Sequence, residues 1–146
     1  MTEWSPNYIS LPAAAIYVAT GDRGRTQSIE DMTASGSRKK VLAASKMLAS
    51  VEDVWPMLEK AIGSGKLVAE AQSLVWPRDD TTPSTRLPCR PIRPTAIAGA
   101  RIVFDAPTMD GEYAVQAAHE YTGDDLYWYG MRFRASEVFE LRRAAK

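Results

Sequence analysis

The stretch EKAIGSGKLVAEAQSLVW, residues 59–76, decides how the chain is organised. Gly63-Ser64-Gly65-Lys66 has the look of a phosphate loop, but such a loop runs from strand through glycines into a helix whose N-terminus faces the anion. Here the order is reversed. Upstream, Val54, Leu58, Ala61 and Ile62 recur at helical spacing, with Asp53 as expected N-cap and Pro56 in the first turn, where a missing N–H breaks no helical bond. Gly63 and Gly65 suit the left-handed backbone that ends a helix, and KLVAEAQSLVW alternates as a strand. The longer nucleotide pattern also fails, because Lys60 stands where its first glycine belongs and Leu67 where its magnesium-binding hydroxyl belongs. GSGK is a helix-to-strand corner.

Working outward from that corner, Ser10 caps an expected first helix in LPAAAIYVAT, with Pro12 in its first turn and Gly21-Asp22 as its stop. A polar loop is expected to about Gly36, then a Ser37-capped helix to Leu48 with Val41, Ala44, Ser45 and Leu48 on one face. Residues 77–95 carry a dense run of prolines and read as an extended surface connection. ARIVFD, EYAVQAAHEY and DLYWYGMRFRA follow as antiparallel strands, and Ser136 is expected to cap a closing helix. Alternation along the last strand assigns Tyr127, Tyr129, Met131 and Phe133 to one face and Trp128, Gly130, Arg132 and Arg134 to the other. The expected class is α+β in a single domain over residues 1–146, with N-terminal helices, an antiparallel sheet and a short C-terminal helix.

Composition narrows the function classes. The 146 residues carry 18 basic and 18 acidic side chains, so net charge recommends neither nucleic acid nor acidic membrane. One cysteine and one histidine are too few for a zinc centre of the usual ligand count, and no metal or cofactor is expected. Cys89 and His119 are conceivable as a dyad, which keeps an enzyme using Cys89 as a distant third reading, but neither lies in a recognisable nucleophile context and no enzyme is the expectation. No run is apolar enough for a membrane span, and the opening residues lack the pattern of a signal peptide; a cytoplasmic protein is expected.

Charge is nonetheless segregated along the chain. Arg38-Lys39-Lys40 form one basic patch, and Arg86, Arg90, Arg93 and Arg101 follow one another without an intervening acid. Pro88 to Arg93 also fits the P-x-x-P-x-R pattern of polyproline ligands, alongside its reading as a stiff crossover. Trp128, Arg132 and Arg134 have the composition of a protein-binding hot spot, although core packing is the somewhat favoured reading of Trp128.

Three patches, YISLPAAAIYVA, VWPMLEKAIGSGKLVA and MRFRASEVFEL, resemble the opening helix, second helix with wing strand, and closing strand–helix of excisionase-type winged-helix proteins. The layout is also similar to that of short uncharacterised alphaproteobacterial proteins. The resemblance implies a winged-helix-like fold with a long insert, and DNA binding through the Val54–Ile62 helix. That helix offers Lys60 against Glu59 and, just before it, Glu52 and Asp53, a poor complement to phosphates. The first expectation is therefore a regulatory or accessory protein binding a protein partner through Trp128, Arg132, Arg134, Arg86, Arg90 and Arg93. The alternative is DNA binding, with Arg38, Lys39 and Lys40 on phosphates.

Overall fold

The computed structural model describes residues 6–76, 87–104, 113–118 and 125–144. Among them the chain is α+β, with six helices and a six-stranded antiparallel sheet. The helices are α1 (Leu11–Thr20), α2 (Arg23–Ala34), α3 (Arg38–Ala49), α4 (Trp55–Gly63), α5 (Pro94–Ile97) and α6 (Ala135–Ala144). The strands are β1 (Tyr8–Ser10), β2 (Ala69–Trp76), β3 (Arg90–Pro91), β4 (Arg101–Val103), β5 (Ala114–Ala118) and β6 (Asp125–Arg134). Along the sheet the order is β3-β2-β6-β5-β4, with β1 also paired to β6.

The corner at GSGK forms through Gly65 alone, because Gly63 is still the last residue of α4. Lys66 N–H reaches Ala61 O at 3.0 Å and Gly65 N–H reaches Ile62 O at 3.2 Å. This pair of bonds closes the last carbonyls of α4, with Gly65 at φ +81° in the left-handed region. Pro56 lies in the first turn of α4, but Asp53 falls in a 3-10 turn over Glu52–Val54 rather than at the N-cap. Leu58, Ala61 and Ile62 are buried, and Trp55 Nε1–H donates to Ala100 O at 2.8 Å, tying α4 to the segment that enters β4.

α1 is capped as its sequence dictates: Ser10 Oγ accepts from Ala13 N–H, and Gly21 at φ +70° returns its N–H to Tyr17 O. Nearly every side chain from Leu11 to Val18 is buried, so this small-residue helix is the hub against which α2, α3, α6 and β6 pack. From the far side, Arg142 of α6 donates to Val18 O, a cation at the negative end of α1. Two expectations fail near this hub. The expected polar loop from Asp22 to Gly36 is largely α2, started by Asp22, whose carboxylate accepts from Arg25 N–H at 3.1 Å. Its buried stripe is only Thr26 and Ile29, too thin to register as periodicity. Ser136 stands one residue inside α6 instead of capping it.

The proline-rich connection contains more structure than expected. Leu87 N–H bonds Ser73 O and Ile92 N–H bonds Ala69 O, which lays β3 along β2 as an outer strand, and Pro94 opens α5. Residues 77–86 lie outside the described residues.

The central strand corrects the expected alternation. Between Glu70↔Arg132 and Gln72↔Tyr129, β6 advances by one residue more than β2. The extra residue sits at Gly130, whose φ of +61° makes a β-bulge that a Cβ would strain. Parity therefore switches there. Leu126 and Trp128 before the bulge, and Met131 and Phe133 after it, all enter the large core shared with the helices. Tyr127 and Tyr129 go to the other face with Leu74 and Ala114, their rings 6.3 Å apart.

Candidate functional site

The residues expected to meet a partner are distributed over three places. Trp128 is 4% exposed and belongs to the core, which corrects its assignment to an outward face with Arg132 and Arg134. The bulge at Gly130 is the physical reason: it puts Trp128 and the two arginines on opposite faces of β6.

Trp128 is reached instead from the β3 side. A groove of about 270 Å³ runs between β2 and the 87–96 segment, with Ala71, Leu126 and Trp128 in its floor. Arg90 and Arg93 stand on its rim, both exposed. Leu87 also lines it and is 46% exposed, one of two large hydrophobic side chains so placed among the described residues. Three of the expected contact residues, Trp128, Arg90 and Arg93, thus converge here although they are far apart in sequence. Two backbone bonds, from Leu87 and Ile92 to β2, fix the segment that carries the rim. Pro88 and Pro91 have no N–H, so this outer strand presents a poor edge for a further strand. Recognition at the groove would therefore run through side chains.

Arg132 and Arg134 lie on the opposite face. Arg132 is bound to Glu70 Oε1 by Nη2 at 2.9 Å and Nε at 3.2 Å, and its guanidinium lies 4.3 Å from the centre of the Tyr8 ring. The Glu70 hydrogen bond raises the Arg132 pKa above its ordinary value, while partial burial opposes the rise. Arg134 is exposed and faces Tyr8 in the β1–β6 register. Arg86 lies outside the described residues, as does His119, the expected companion of Cys89; Cys89 itself is an exposed free thiol.

Arg38, Lys39 and Lys40 occupy the first turn of α3, all exposed, after the Ser37 cap. Cations at a helix N-terminus oppose its dipole, each at roughly 0.3–1 kcal/mol when exposed. Among the described residues no group of three or more His, Cys, Asp or Glu could hold a metal ion. Nor is any helix there long and apolar enough to cross a membrane.

Sequence reasoning missed Leu87 and, apart from Arg132, the lining of a second cavity, formed where β1, α2 and β6 meet. The signal for Leu87 was weak, a lone leucine among prolines. For the second cavity nothing in the sequence pointed to the convergence, since its residues are drawn from Tyr8 to Arg132. Comparison with protein-family models, with curated proteins and with solved structures finds no match for this chain.

Proposed function

We propose that this chain is a non-enzymatic regulatory or accessory protein that binds a protein partner at the groove between β2 and the 87–96 segment. The observation that supports this is the juxtaposition of exposed Leu87 with a Trp128 floor and an Arg90/Arg93 rim. Interfaces of this kind combine an apolar anchor site with arginines that take carboxylates in a forked geometry. The fitting partner segment carries an apolar side chain flanked by Asp or Glu. Affinity capture with the wild-type chain and with Leu87→Asp and Arg90→Glu tests the assignment. Proteins retained by the wild type and lost by both variants support it; an unchanged set from all three refutes it.

A second reading, winged-helix-type DNA binding, is favoured by one observation. Three cations crowd the first turn of α3 against the helix dipole, an arrangement that phosphate would relieve. α4, which the winged-helix resemblance would send into a groove, turns Trp55, Leu58, Ala61 and Ile62 inward. Phosphate contact would then fall to Arg38, Lys39 and Lys40 rather than to α4. Fluorescence anisotropy with a labelled duplex at several salt concentrations decides the matter. Binding that weakens steeply with salt, with a flatter slope in Arg38→Glu, supports this reading. Absence of binding at low salt removes it.

A further inference from the structure

β6 changes neighbours partway along its length. On one edge β2 follows it from Asp125 to Phe133. On the other edge β5 pairs as far as Trp128, and β1 takes over at Arg132. Beside the Tyr129–Met131 stretch between them lies a cleft of about 680 Å³, walled by β1, α2 and Tyr113. Gly130 opens onto this cleft, and nothing stands within 4 Å of where a Cβ would be. The volume is that of a small-molecule site rather than a packing defect.

Among the described residues two charged side chains line the cleft, Glu30 and Arg132. Arg132 is compensated by Glu70, so the pair is close to neutral. Glu30 has no such partner among the described residues. Both of its oxygens accept from Ser10 N–H, at 2.9 and 3.2 Å, and Oε1 also accepts from Thr33 Oγ1 at 2.9 Å. These donors are neutral, so the half-buried carboxylate is held in place without a counter-charge among the described residues. Tyr8, Tyr113 and Tyr129 line the same cleft, Tyr8 half-buried and the other two buried. Tyrosine faces attract cations, and Tyr8 already carries the Arg132 guanidinium at 4.3 Å.

We propose that this cleft binds a small organic cation, an alkylammonium ion, with Glu30 as counter-ion and tyrosines in its lining. The site is independent of the groove on the other face of the sheet. It uses the pinned carboxylate for charge and the tyrosines for the apolar part of the ligand. The Arg132–Glu70 pair closes one side and keeps a repelling cation neutralised.

The test is calorimetric titration of the full chain at low salt with n-butylamine, and with n-butanol as the neutral isostere. Saturable binding of the amine and none of the alcohol is expected. Glu30→Gln can keep its oxygen on Ser10 N–H and turn its amide N–H to Thr33 Oγ1, so the shape is kept while the charge goes, and amine affinity should fall tenfold or more. Glu70→Gln, which leaves the Arg132 charge uncompensated beside the cleft, should weaken binding severalfold without touching Glu30. Glu59→Gln, on α4 and outside the cleft, should change nothing. Absence of saturable binding at millimolar amine overturns the proposal, as does equal affinity in the wild type and Glu30→Gln. An Nα-acetyl-lysine amide that binds far more tightly than butylamine would overturn the small-molecule assignment by pointing to a peptide lysine.

Discussion

Replacing Gly130 with alanine isolates the bulge that sets the faces of β6. The backbone there has φ +61°, and the new methyl would meet no atom within 4 Å, so steric overlap plays no part. Holding an L-residue in the left-handed region costs roughly 1–2 kcal/mol. Alanine also restricts the unfolded chain, which returns roughly 0.4–1 kcal/mol. The net expected destabilisation is about 1 kcal/mol, or about 3 °C in Tm for a chain of this size. Asparagine tolerates the left-handed region, so Gly130→Asn should lose less than alanine, and the β-branched Gly130→Val should lose more. Deleting Gly130 is a different perturbation: it removes the parity switch, so Trp128 and Phe133 can no longer share the helix-facing core. The deletion should abolish cooperative urea unfolding followed by circular dichroism. An alanine variant as stable as the wild type, or a deletion that folds cooperatively, would refute the reasoning.

Trp55→Phe leaves Ala100 O without its buried donor and should lower stability by about 2 kcal/mol in urea titrations. Ser10→Ala removes the α1 cap, with an expected loss of about 1 kcal/mol in the same assay. Glu137 of α6 holds Val68 N–H at 3.0 Å, so Glu137→Ala should reduce stability by about 1–2 kcal/mol. Glu137→Gln, which keeps an oxygen acceptor, should lose less than half of that. Arg132→Ala breaks a partly exposed ion pair and should shift stability by less than about 1 kcal/mol in thermal melts.

What could be read from the chain depended on the range of the signal. Ser10, Pro12 and Gly21 are local instructions, and α1 follows them. The same holds for Ser37 before α3 and for Gly65 after α4. α2 failed as a prediction because its buried stripe is short and Gly24, Thr26 and Ser28 favour a loop; Asp22 was the one local clue to its start. β1 is three residues long and exists only because β6 offers it an edge. Gly130 was visible inside a strand, but its effect depends on the partner strand, where β2 supplies one residue fewer. Without that register, simple alternation misplaced Trp128. Arg90 and Arg93 stood out by charge, whereas their approach to Trp128 depends on the pairing of the 87–92 segment with β2. Glu30 and Tyr8 gave no signal at all, because the cleft they line is assembled from contacts across most of the chain.

Site-specific photo-crosslinking in cells tests the assignment of the partner-binding groove most directly, with the photoreactive residue placed at position 87 and, as control, at position 57. Met57 matches Leu87 in exposure, at 45% against 46%, but sits on α4 away from the groove. The account predicts a discrete protein adduct from position 87, suppressed by Arg90→Glu and absent from position 57. Equal adducts from both positions, or an adduct from position 57 alone, would contradict it.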